Sequence, residues 1–75
     1  MMLRVKNLET LRKRYPVGAR VELISMTDIQ APPPGTKGTV SGVDDLGTIH
    51  VNWDTGSCLG LVPEEDKFLV ISRGQ

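Results

Sequence analysis

The stretch Thr48-Ile49-His50-Val51-Asn52-Trp53 alternates polar and apolar side chains without a break. A period of two puts Ile49, Val51 and Trp53 on one face of an extended strand and Thr48, His50 and Asn52 on the other. Turn chemistry brackets it. Asp44-Asp45-Leu46-Gly47 precedes it, and Asp54-Thr55-Gly56 follows, with Gly56 placed to supply a positive φ. A strand that is apolar on one face cannot bury that face alone, so it needs paired neighbours. Residues 36–43 read as one neighbour, with Gly38 and Gly42 as bend or bulge points. Residues 57–62 read as the other, with Leu59 and Leu61 facing inward.

The same reading extends in both directions. Arg20-Val21-Glu22-Leu23 alternates and predicts a strand running to about Met26. Residues 27–35 contain Pro32-Pro33-Pro34-Gly35. Three prolines offer no N–H to a sheet, so this is a loop stiffened toward polyproline II. Pro63-Glu64-Glu65-Asp66 suits a single helical turn, Phe68-Leu69-Val70-Ile71 a last strand, and residues 73–75 a tail. Before Pro16 the period changes. Leu8, Leu11 and Tyr15 fall on one helical face, Asn7 is placed to cap the N-terminus, and Glu9 and then Arg12, Lys13 and Arg14 follow the helix dipole. The spacing predicts a helix over residues 8–14, ended by Pro16. Leu3 and Val5 extend it or pack nearby.

With 75 residues the chain is one domain at most. It holds three aromatics, Tyr15, Trp53 and Phe68, so aliphatic side chains must supply most of the burial. Five short strands bury a common face best by curling. The expected fold is mainly β: a small five-stranded SH3-like barrel (residues 19–73) behind a basic N-terminal helical extension (residues 1–18). An OB-type barrel is the alternative, though it carries longer strands and a helix between the third and fourth.

Four blocks carry a more specific likeness: Tyr15-Pro16-Val17-Gly18; Ala31-Pro32-Pro33-Pro34-Gly35-Thr36-Lys37-Gly38-Thr39-Val40; Gly42-Val43-Asp44-Asp45-Leu46-Gly47; and Ile49-His50-Val51-Asn52-Trp53-Asp54-Thr55-Gly56-Ser57. Together they resemble the family called domain of unknown function 4314, found in bacteria, phages and mobile elements. The resemblance runs from about Tyr15 to Ile71 and leaves the basic helix outside. The Gly-x-Val and Val-x-Trp-Asp-x-Gly patterns are also distantly similar to Mib/Herc2 and KOW-type barrels. Membership implies a small SH3-like barrel and no established activity.

Reactive groups are scarce. One cysteine forms no internal disulfide, which fits a reducing, cytoplasmic setting. No apolar run reaches the ~20 residues of a membrane span, and no signal peptide is visible. His50 and Cys58 are diagonal neighbours on the outer face if Asn52 faces Cys58, but a metal site needs further ligands and a nucleophile needs a cleft. Turn chemistry accounts for Asp44, Asp45 and Asp54, and a helical-turn start for Glu64, Glu65 and Asp66, without a paired-carboxylate enzyme. No cofactor, metal or catalytic residue is expected.

Nine basic and nine acidic side chains cancel, but unevenly: residues 1–20 carry +5 and residues 21–75 carry −5. The expected function is a non-enzymatic binding or adaptor module with a protein partner. Its contact surface would be a cleft between the 27–35 loop, the 44–47 turn and Trp53, using Tyr15, Pro33, Asp45 and Trp53. Trp53 has two readings, since its parity with Ile49 and Val51 points it into the core. The alternative function is weak nucleic-acid binding through Arg12, Lys13, Arg14, Arg20 and Lys37. Against it, the helix cations have acids of their own chain to complement. A third reading, resting on the family's presence in phages, is a counter-defence inhibitor docking on a host protein. Oligomeric state stays open.

Overall fold

The computed structural model describes residues 8–72. The proposed cap Asn7, the extension through Leu3 and Val5, and the 73–75 tail lie outside the described residues. The element order is α1 (Leu8–Arg14), β1 (Arg20–Ser25), β2 (Lys37–Val43), β3 (Ile49–Trp53), β4 (Cys58–Leu61) and β5 (Lys67–Ser72). All strand pairs are antiparallel, and the sheet order is β4-β3-β2-β1-β5. The helix and all five strands stand where the sequence pattern puts them, with ends shifted by a residue.

The period-two pattern of β3 survives as strict alternation. Ile49, Val51 and Trp53 are buried, and His50 and Asn52 are exposed. Val21 and Leu23 from β1, Val40 from β2 and Leu61 from β4 join them, with Ala19, in one core. Tyr15, Met26, Val43, Leu59 and Phe68 pack around its margin. Trp53 is 3% exposed and its indole Nε1–H donates to the Leu59 carbonyl at 3.2 Å. It is a core residue and presents no face to a partner, which removes the groove reading for this side chain. Gly38 makes room for it: a β-carbon there would stand 2.9 Å from Trp53 Cε3 and 2.5 Å from Val51 Cγ1. Gly56 adopts φ +101°, as its turn requires.

One expectation is corrected. The sheet is SH3-like in its meander and in the return of β5 to β1, but it is not closed, because β4 and β5 form its two free edges. β4 has only four residues, and the N–H that follows it, on Val62, donates to the Asp66 carboxylate at 2.8 Å rather than to β5. The expected single helical turn after β4 is present, and it does not continue into a helix. Both Glu65 N–H and Asp66 N–H donate to the Val62 carbonyl. The Asp66 carboxylate closes the turn from the other side, and this residue is buried at 8% exposure.

Candidate functional site

The helix reaches the sheet through the face its spacing predicts. Leu8, Leu11 and Tyr15 are half-buried, while Glu9, Thr10, Lys13 and Arg14 are exposed. Leu11 Cδ1 lies 3.5 Å from where a β-carbon on Gly47 would stand, so a side chain there would touch the helix. Tyr15 packs its ring against Phe68 at 5.4 Å between centroids, tilted by 55°. The chain then turns at Pro16, whose carbonyl accepts the Ala19 N–H, and clips to β2 through Gly18 N–H to Val40 O and Val40 N–H to Ala19 O.

This route leaves a groove of about 300 Å³ between α1 and the end of β2, lined by Arg12, Tyr15, Pro16, Val17, Gly42 and Val43. Val17 stands on its wall at 73% exposure. Arg12 sits at the rim. Its Nε–H and Nη2–H donate to the Val43 carbonyl at 3.3 and 3.1 Å, and Nη2 also donates to Asp45 Oδ1 at 3.2 Å. Asp45 lies on the β2–β3 turn and is almost wholly in solvent.

The outer sheet face holds a separate polar network. Arg20 forks onto Asp54, with Nη1 to Oδ1 at 2.9 Å and Nη2 to Oδ2 at 2.7 Å, and Nη1 also donates to Thr39 Oγ1. That hydrogen bond holds the Asp54 carboxyl below its ordinary value and raises the Arg20 guanidinium above its own. At the β2–β3 turn, Asp44 accepts from His50 Nε2 at 2.9 Å and from the Leu46 and Thr48 N–H groups, chiefly the His50 bond lowering its pKa. Asn52 does face Cys58, and the thiol donates to its amide oxygen at 3.2 Å. Among the described residues no group of three His, Cys, Asp or Glu side chains could hold a metal ion.

The residues picked out for partner binding do not converge. Tyr15 and Asp45 come together at the α1–β2 corner, joined by Arg12. Pro33 is exposed in the 27–35 loop, where its carbonyl accepts both the N–H and the hydroxyl of Thr36. That loop enters β2 at Lys37 and the 44–47 turn leaves it at Val43. A strand of seven residues is about 20 Å long, so the two border opposite ends of the sheet and form no common cleft. A second hollow, of about 180 Å³, lies beside the loop base between Met26, Thr27, Asp28, Gly60, Val62, Glu65 and Asp66.

The basic residues also divide. Arg12 and Arg20 are tied to Asp45 and Asp54, and Arg20 and Lys37 lie on the sheet, away from the helix. Among the described residues Lys13 and Arg14 make no ion pair. The groove residues Pro16, Val17, Gly42 and Val43 carry no sign of this role in the sequence. The stripe of Leu8, Leu11 and Tyr15 announces a packed helix face but not the strand that receives it.

No helix among the described residues is long and apolar enough to cross a membrane. No curated protein and no solved structure matches the chain at a significant level. One family model does, that of a domain of unknown function (DUF4314), over residues 4–71. The match begins ahead of α1, so the basic helix is part of the shared unit, whereas the sequence blocks alone place it outside. Since that match spans nearly the whole sequence, the chain belongs to the DUF4314 family.

Proposed function

We propose that this chain is a small non-enzymatic protein-binding module, and that its contact surface is the groove between α1 and β2. One observation carries the reading: an open hollow of about 300 Å³ with a mostly apolar lining of Tyr15, Pro16, Val17, Gly42 and Val43, of which Val17 is 73% exposed. Exposed apolar surface around a hollow is what a partner's side chain can fill. The scaffold beneath is preorganised by the β2 clips at Gly18 and Val40, which limits the ordering cost on binding. The acid–base networks elsewhere are satisfied internally and supply no reacting pair.

Photo-crosslinking tests this. Val17 is replaced by p-benzoylphenylalanine in one variant and Thr55, on the remote β3–β4 turn, in another. Irradiation in lysate of the source cell should give a discrete protein adduct from position 17 and none from position 55. Equal adducts from both positions, or none from either, would refute the reading. A counter-defence role would be the special case in which the adduct is a host defence protein.

The competing reading is nucleic-acid binding through the helix, favoured by Lys13 and Arg14, which make no ion pair among the described residues. It requires retention on DNA or RNA at low salt that disappears in the Arg12→Ala, Lys13→Ala, Arg14→Ala variant.

A further inference from the structure

Among the described residues two arginines face carboxylates, and they are held in opposite ways. Arg20 is engaged on its outer edge: its fork is closed on both oxygens of Asp54, and Thr39 takes a further N–H from Nη1. Arg12 is held from behind. The Val43 carbonyl takes Nε–H and Nη2–H, which fixes the guanidinium at the groove rim. Asp45 then reaches a single nitrogen with a single oxygen, at 3.2 Å, from a side chain that is 94% exposed. Nη1 has no partner among the described residues. A guanidinium with one edge anchored and another open is set up to accept a carboxylate by two parallel hydrogen bonds.

We infer, resting on the groove being the contact surface, that it takes an acidic–apolar protein segment: one carboxylate side chain on Arg12, in place of Asp45, and a neighbouring aliphatic side chain against Tyr15, Val17 and Val43. Charge complementarity argues for that occupant. Lys13 and Arg14 follow Arg12 directly on the same helix, exposed and without ion-pair partners among the described residues. They attract a segment with further acids around the docking one. Asp45 acts as an internal competitor, occupying the arginine weakly until a better-placed carboxylate arrives. A nucleic-acid phosphate fits the charge but not the apolar lining.

The competitor role gives a result whose sign a merely structural ion pair does not share. Amide chemical shifts of the ¹⁵N-labelled full chain are followed during titration with acetyl-Leu-Asp-Glu-Leu-amide and with its uncharged analogue acetyl-Leu-Asn-Gln-Leu-amide. The acidic peptide should shift Val17, Gly42 and Val43, and the analogue should bind several-fold more weakly. Asp45→Asn should tighten the acidic peptide by about two- to fivefold, the worth of an exposed competing pair. Arg12→Lys keeps the charge but loses the fork and should weaken it by about fivefold or more. Both variants change exposed side chains, and their spectra report that the fold is intact.

Equal binding of the two peptides at the groove would overturn carboxylate recognition and leave the groove as a contact surface. Asp45→Asn that weakens binding would overturn the competitor role, and so the inference. No shift at groove amides with either peptide would overturn it too, while the Val17 crosslink judges the broader reading separately. Thymidine oligonucleotides shifting the same amides at lower concentration than the acidic peptide would overturn both.

Discussion

Replacing Gly38 by alanine should destabilise the protein, although the local rule says the reverse. Glycine in a strand interior is worse than alanine by roughly 0.5–1 kcal/mol, and Gly38 has no left-handed φ that a side chain would strain. The core overrides this. A β-carbon at Gly38 would lie 2.5 Å from Val51 Cγ1, 2.9 Å from Trp53 Cε3 and 3.0 Å from the Asn52 carbonyl oxygen, where ordinary contact begins at 3.4 Å. Val51 and Trp53 are 1% and 3% exposed, so neither can swing into solvent. The Asn52 carbonyl is held by the β2–β3 ladder, in which Thr39 pairs with Asn52. Overpacking of this kind costs about 1–3 kcal/mol. Set against the backbone gain, Gly38→Ala should lose about 1–2 kcal/mol, or about 5–15 °C in Tm for a domain of this size. Gly42→Ala is the control. It lies in the same strand, also without a left-handed φ, and nothing stands within 4 Å of its β-carbon position. It should be neutral or gain up to about 1 kcal/mol. Urea denaturation of both variants, read by Trp53 fluorescence, decides. A Gly38→Ala variant as stable as the parent, or a pair that shifts in the same direction, would refute the packing argument.

Other consequences can be checked on the same chain. Asp66 is itself buried, so Asp66→Ala removes the acceptor of the part-buried Val62 N–H and should cost about 1–3 kcal/mol, visible as a lower urea midpoint with an unchanged slope. Asp44 and Asp54 both titrate below their ordinary 3.8 in the folded state, so the stability they contribute is present above that value and is lost as pH falls through the lower folded values. The unfolding midpoint should hold down to about pH 5 and fall below about pH 4, and Asp54→Asn should flatten that fall. On the edge strand β5, Leu69 and Ile71 are 56% and 49% exposed, so Leu69→Lys should slow aggregation on heating, measured by light scattering, while shifting Tm by less than a few degrees.

How far the sequence reveals this molecule depends on the range of the interactions concerned. The β3 strand is readable because alternation and its flanking turns are local, and its register with β4 follows from the loop length, which sets Asn52 against Cys58. Trp53 is settled by the same parity, as a core side chain. Closure of the barrel is not local. It depends on whether β4 is long enough to reach β5, and the Asp66 carboxylate intercepts the N–H that would continue β4. The expected cleft fails for a geometric reason: it joins segments at the two ends of β2, which are near in sequence blocks but about 20 Å apart in space. The groove that does exist is made by α1 landing on the end of β2. That contact spans thirty-one positions from Arg12 to Val43, and only three-dimensional placement supplies it. Charge segregation along the chain is legible, and two of its cations prove to be matched with acids of the −5 segment, as complementation within the chain requires.

The most direct test of the central claim uses the protein captured by the Val17 crosslink, purified and added without irradiation to the ¹⁵N-labelled full chain. The largest amide shifts and broadening should fall on Arg12, Tyr15, Val17, Gly42 and Val43. Perturbations centred instead on Leu69, Val70 and Ile71, or on the exposed Ile29 of the long loop, would contradict it.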